Sequence, residues 1–176
     1  MRLAGSARRN RNAGVAAIEF ALLMPVLVML FLGVADFSMA YHDQLQMSSA
    51  LSAGAEYAFT QGQTESGSTL DTDVQTFVNS IISTNLKNAT ATVTVYYNGA
   101  SADGVSTNCY CVNGSPPTYT SQGTTCGSSC SDASGSTGGK YVSINGSLTY
   151  TPMFSINTVF FAGINPIKQT ITVRLQ

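Results

Sequence analysis

Residues 15–35 form an almost wholly apolar run that holds one charge, Glu19, and nothing else in the chain constrains its fold as strongly. A helix crosses a bilayer with about 20 apolar residues, and Phe37, Met39, Ala40 and Tyr41 extend this run further. A charged side chain at the bilayer centre costs about 2.5–3.5 kcal/mol even on lenient insertion scales, so an intramembrane carboxylate reads as functional. Four arginines (Arg2, Arg8, Arg9, Arg11) precede the run with no acid among them. Asp36, Asp43 and Glu56 follow it, and no basic residue recurs before Lys87. By the positive-inside rule the N-terminus is cytoplasmic and the remainder is exported.

Composition agrees with an exported, anchored chain. Charged residues make up 10%, against about 25% in an ordinary soluble domain. From Val15 onward four basic residues face nine acidic ones, a net side-chain charge of −5. Nucleic-acid binding needs a basic patch, and none remains.

The four cysteines, Cys109, Cys111, Cys126 and Cys130, all lie in the exported part. An even count in an oxidising compartment reads as disulfides. The rival is zinc, but the ligand spacing departs from that of zinc ribbons. Cys109 and Cys111 are too close in sequence to pair with each other, so each crosses to Cys126 or Cys130. In a hairpin-like loop the nested pairing, 109 with 130 and 111 with 126, is slightly favoured.

An ordinary signal peptide is the bland alternative for the N-terminus. Ser38-Met39-Ala40 resembles a small-residue cleavage site. The apolar segment is too long for that reading and contains both Glu19 and Pro25.

Helical character continues past the membrane segment. Residues 41–59 contain no proline and mostly good helix formers. A helix over 15–59 would be about 65–70 Å long. Pro25 removes one backbone donor and is the expected kink. Ser48, Ser49, Ser52, Ala53, Gly54 and Ala55 would admit a close neighbour. After a polar loop, Leu70, Val74, Phe77, Val78, Ile81, Ile82 and Leu86 recur at helical spacing, which predicts an amphipathic helix of about four turns. Asp71 and Asp73 are expected at its N-terminal end, as capping residues.

Three runs then alternate with period two: Val93, Val95, Tyr97; Val142, Ile144, Leu148, Tyr150; and Ile167, Ile171, Val173, Leu175. They predict half-buried antiparallel strands. The fold class is therefore α+β, a long N-terminal helix and a small head in which one helix covers about three strands. The expected organisation is a leader over 1–14, a membrane helix over 15–41, its periplasmic continuation over 42–60, and a head over 61–176 with a disulfide loop at 98–140. Residues 120–139 are rich in Ser, Thr and Gly, a composition that buries little and orders poorly. Residues 153–164 are an apolar connection that could be a strand, an irregular segment or an interface patch.

No catalytic constellation stands out. The single histidine, His42, follows the membrane segment and reads as an interfacial polar residue. No cofactor or metal is expected, and no enzymatic activity.

The stretch Gly14-Val-Ala-Ala-Ile-Glu19-Phe20 resembles the processing site of type IV prepilins, in the Glu-Phe form of TadE-like pseudopilins of Tad/Flp pili. The continuation Ala-Leu-Leu-Met-Pro25 and Ser52-Ala-Gly54-Ala-Glu-Tyr57-Ala is similar to the same family. The resemblance implies cleavage between Gly14 and Val15 by an aspartic prepilin peptidase. It also implies that Glu19, with Phe20 beside it, sets the register against the new amine of a neighbouring subunit. Cleavage would also remove all four leader arginines, which could not follow the helix through hydrocarbon cheaply. The implied role is a minor pseudopilin that helps assemble, prime or cap the pilus from the bacterial inner membrane, N-terminus cytoplasmic and head periplasmic. Its implied partners are the peptidase, the major pilin, other minor pseudopilins, the inner-membrane assembly platform and membrane lipid. The alternative is an anchored or pilus-tip adhesin whose disulfide loop touches a surface.

Overall fold

The structure, a computed structural model, describes residues 12–62, 67–86, 89–101, 108–114, 117–131, 136–154 and 165–175. Among the described residues a helix of 50 residues, α1 (Asn12–Gln61), leads into α2 (Gly67–Asn85) and six strands. The strands are β1 (Ala89–Tyr97), β2 (Ala100–Ser101), β3 (Tyr110–Asn113), β4 (Thr118–Ser121), β5 (Tyr141–Tyr150) and β6 (Ile167–Arg174). One antiparallel sheet has the order β2-β1-β5-β6, and β3 and β4 form a separate hairpin. The three long strands are those the alternating runs predict. The two-residue β2 is added by a tight turn at Asn98-Gly99, where φ is positive at both residues (51° and 79°), as a type I′ hairpin turn requires.

Period two divides the sheet into unlike faces. Val93, Val95 and Tyr97 of β1 and Val142, Ile144 and Leu148 of β5 are buried against the helices. Thr90, Thr92 and Thr94 of β1 and Thr170 and Thr172 of β6 are exposed on the other face. Pairing of Ile144 with Ile171 and Val142 with Val173 keeps the apolar positions of β5 and β6 in register.

Both helices cover the apolar face, not α2 alone. Leu70, Val74 and Val78 of α2 and Met47, Ala50, Leu51 and Ala58 of α1 join one core with the strands. Two glycines let α1 come close. A Cβ at Gly54 would lie 2.2 Å from Val78 Cγ2 and 3.2 Å from Ile144 Cδ1. A Cβ at Gly146 would lie 3.0 Å from Leu51 Cδ1 and 3.1 Å from Met47 Sδ. Of the small residues of α1, Gly54 admits both a helix and a strand, whereas Ser49 and Ser52 face solvent. Gly54→Ala gains about 1 kcal/mol of helix propensity but overpacks against the stiff valine, a fault worth about 1–3 kcal/mol. We expect a lower melting temperature for the full chain in detergent, and partial recovery in Gly54→Ala/Val78→Ala. A Gly54→Ala variant as stable as the parent would show that α1 and α2 can part.

Two expectations are corrected. Neither Asp71 nor Asp73 caps α2, because the helix begins at Gly67 and has no acid in its first turn. Asp71 is instead buried at 2% exposure, its Oδ1 accepting the Thr72 amide at 2.7 Å. The nested disulfide pairing is also wrong. The bonds join Cys109 to Cys126 and Cys111 to Cys130, with Cα separations of 5.2 and 5.9 Å. The place opposite Cys111 in the hairpin ladder belongs to Thr120. Two backbone bonds carry the ladder on to Cys109, at Gly123 and Gln122. The chain leaving Gly123 therefore passes Cys109 first, and a second turn at Gly127 brings Cys130 to Cys111.

The cysteine region is more ordered than its composition suggests. Cys109, Cys111 and Cys130 are buried, and Tyr110 exchanges two backbone bonds with Gly139. Tyr119 of β4 reaches the outer face of the sheet, where its hydroxyl bonds Ser143 and Ser143 in turn bonds Thr172. Of the apolar connection at 153–164, residues 155–164 lie outside the described residues.

Candidate functional site at the anchor–head junction

Among the described residues, those singled out in the sequence are spread along α1 and the head, and only the four cysteines are brought together. Gly14, Val15, Glu19 and Phe20 lie in the first turns of α1 and are exposed. Nothing stands within 4 Å of the position a Cβ would take at Gly14. Pro25 sits inside α1, which stays helical on both sides of it. Gly14–Gln61 includes an apolar window none of which is buried, so this helix can span a membrane and is consistent with a single-pass anchor. The leader arginines lie outside the described residues. All four cysteines are in the outer-face hairpin and its continuation, in two disulfides.

Sequence reasoning missed the junction where the exposed helix meets the head. Asp36 is fully buried. Its carboxyl accepts the backbone amide of Met153 at 3.0 Å and that of Phe154 at 3.3 Å. The Tyr150 hydroxyl approaches Asp36 at a long 3.5 Å. Asn165 grips the same strand end from the other side: it accepts from the Tyr150 amide at 3.0 Å and donates to the Tyr150 carbonyl at 2.7 Å. Ala40 and Tyr150 pack together there as a small second core, with Met39 against it. The first residue of the helix to be buried by the head is thus an aspartate, one residue beyond the apolar run. Its solitary position there was the one signal available.

Burial raises the pKa of the Tyr150 phenol above its usual 10.0, and the neighbouring Asp36 and Asp43 carboxylates and the Asp36 hydrogen bond act in the same sense. Burial alone raises that of Tyr97. Burial also raises that of Asp43, against an opposing effect of His42, which lies 3.9 Å away with an exposed ring. A phenol that resists ionisation in the folded state stabilises it fully below the unfolded pKa. That contribution is lost as pH rises from about 10 through the higher folded value. We expect the melting temperature of the full chain in detergent to fall between pH 9 and 11, with a shallower fall in Tyr150→Phe. Parallel pH profiles for the two would remove Tyr150 from the account.

Residues 14–56 match the model of the family described as TadE-like protein. The matched stretch covers the exposed apolar helix, Asp36 and the part of α1 that packs on α2 and the sheet through Met47, Ala50 and Leu51. Comparison with curated proteins and with solved structures gives no match.

Proposed function

We propose that this chain, which is TadE-like over residues 14–56, is a processed minor pseudopilin of a Tad-type pilus. The family match supports the coarser statement, a Tad pilus-associated protein. The observation that carries the finer reading is α1 itself. Its most apolar stretch is left unburied by the described residues, while its distal part is built into the head core through Met47, Leu51 and Ala58. A helix of this kind is stable only in lipid or among other helices, and it holds the head at a fixed distance from both.

In this reading a prepilin peptidase cuts after Gly14 on the cytoplasmic side. The cut removes the arginine leader and exposes the amine of Val15. Glu19 then meets the amine of a neighbouring subunit in a low dielectric, where either charge alone would be costly. The head lies in the periplasm. The partners are the peptidase, the major pilin, other minor pseudopilins, the inner-membrane assembly platform and lipid. The reading assigns no catalytic step, no cofactor and no metal to this chain.

The test is the N-terminal sequence of the protein recovered from membranes of cells that carry the peptidase. A start at Val15 is expected. A start at Tyr41 would make the chain an ordinary secreted domain and end the proposal. In the same cells Glu19→Ala should still insert but assemble pili poorly; normal piliation would remove the register role of Glu19.

A further inference from the structure

The covered part of α1 overlaps the apolar run by about one turn. Residues 14–31 are exposed throughout. Leu32, Asp36 and Ala40 then follow at i, i+4 spacing on one face of the helix, and they are half-buried, buried and buried. The apolar run 15–35 is about 31 Å long as a helix, which matches the hydrocarbon core of a bilayer. With the run seated in lipid, Leu32 lies at the outer edge of the hydrocarbon and Asp36 at the polar boundary.

The segment 151–154 stands at that level. The Met153 amide lies 3.0 Å from Asp36 Oδ1 and the Phe154 amide 3.3 Å from Asp36 Oδ2. Tyr150, just before them, packs with Ala40. A backbone amide held by a helix side chain is within about one helical turn of that residue along the axis. Met153 is nevertheless 62% exposed. Among the described residues beyond α1, it is the one large apolar side chain left exposed.

The surroundings suit lipid. Thr151-Pro-Met-Phe154 carries no charge. Asp36, which an acyl surface would disfavour, is fully buried and accepts the two amides. Tyr41, of a residue type enriched at membrane–water interfaces, is exposed about one turn further along α1. A flexible thioether chain adapts to irregular packing, as the boundary between headgroups and acyl chains requires.

We propose that the head stands on the bilayer through this segment, with Met153 entering the boundary between headgroups and acyl chains beside α1. The chain then has two lipid contacts at one level, and the second fixes the tilt of the head over the membrane. The proposal rests on α1 being a membrane anchor, as in the reading above. It is independent of leader cleavage and of the Glu19 register.

Methionines already in the chain serve as probes. Met24, Met29 and Met153 are 43%, 60% and 62% exposed on the protein, and Met47 is fully buried. The experiment is oxidation of the full chain by periodate, a charged oxidant that does not cross lipid, in nanodiscs of phosphatidylethanolamine and phosphatidylglycerol. Sulfoxide at each methionine is read by mass spectrometry. Thr94→Met, at an exposed position of β1, gives the rate in water. Met153 should react about tenfold or more slowly than that reference, as Met24 and Met29 should. The chain has no tryptophan, so Met153→Trp adds a lone fluorophore. Lipids brominated near the headgroup end of their acyl chains should quench it and should not quench Thr94→Trp. Oxidation of Met153 at the reference rate, with Met24 and Met29 protected, would overturn the proposal and leave the anchor standing. Protection of Met153 without quenching in Met153→Trp would also overturn it, since protein and not lipid then covers the residue. Rapid oxidation of Met24, Met29 and Met153 alike would end the anchor reading, and the proposal with it.

Discussion

Asp36→Ala is expected to destabilise the folded head by about 2–4 kcal/mol, since each amide left without its acceptor costs on the order of 1–3 kcal/mol. Two amides are at stake, those of Met153 and Phe154, at 3.0 and 3.3 Å from a carboxyl with no exposed surface. These bonds are only partly buried and Met153 itself is exposed, so water would compete for the freed amides and the 151–154 segment would loosen from α1. The expected result is therefore local as well as global: faster hydrogen exchange at Met153 and Phe154 and a lower melting temperature. Asp36→Asn keeps the shape and one acceptor oxygen, and should lose less. If exchange at both amides is unchanged in Asp36→Ala, the aspartate does not clamp the segment and its burial has another cause.

Removing both disulfides is the second large effect, and it should divide the molecule. Each bond closes a loop, with sequence separations of 17 and 19. The chain-entropy model gives about 3 kcal/mol for a loop of this length, though the two loops overlap and the terms will not simply add. The core built from α1, α2, β1, β5 and β6 contains none of the four cysteines. Reduction, or serine at all four positions, should therefore release the hairpin and spare the helices. Amides of Cys109, Tyr110 and Gln122, now bonded to Gly123, Gly139 and Cys109, should lose protection while far-UV helicity stays. Cooperative loss of helicity on reduction would show that the hairpin is integral to the core, and would refute this division.

The parts of the fold that could be read from the sequence are those specified by local pattern. The apolar run and the absence of breakers in residues 41–53 describe α1 from Val15 to Phe59, close to its observed bounds. Helical spacing from Leu70 to Leu86 gives α2, and the alternation of β-branched residues gives β1, β5 and β6. Asn98-Gly99 is a hairpin signal of the same local sort, hidden by treating 98–140 as one loop.

What could not be read depends on contacts distant in sequence. The partners of Asp36 are 117 and 118 residues away, so in sequence it looks like a flanking charge at the end of an apolar helix. The disulfide pairing turns on where Gly123 and Gly127, both at positive φ, redirect the chain. Composition describes how much residues 120–139 can bury; it does not describe a backbone ladder or a tyrosine pinned to the far face of a sheet. Of the proposed site residues, Glu19 acts in the proposed function only against another subunit, and the described fold of one chain leaves it and Pro25 exposed.

The continuity of α1 has a mechanical consequence. Its hydrogen-bond ladder runs from the start of the apolar segment into the head core, and Asp36 fastens the head to it at the point of entry. A push on the head therefore turns the helix as a lever arm, without a swivel at the entry point. The weak point of that lever is Pro25, where one backbone donor is missing. Torque gathered by the head is delivered eleven residues below the clamp, within the apolar segment.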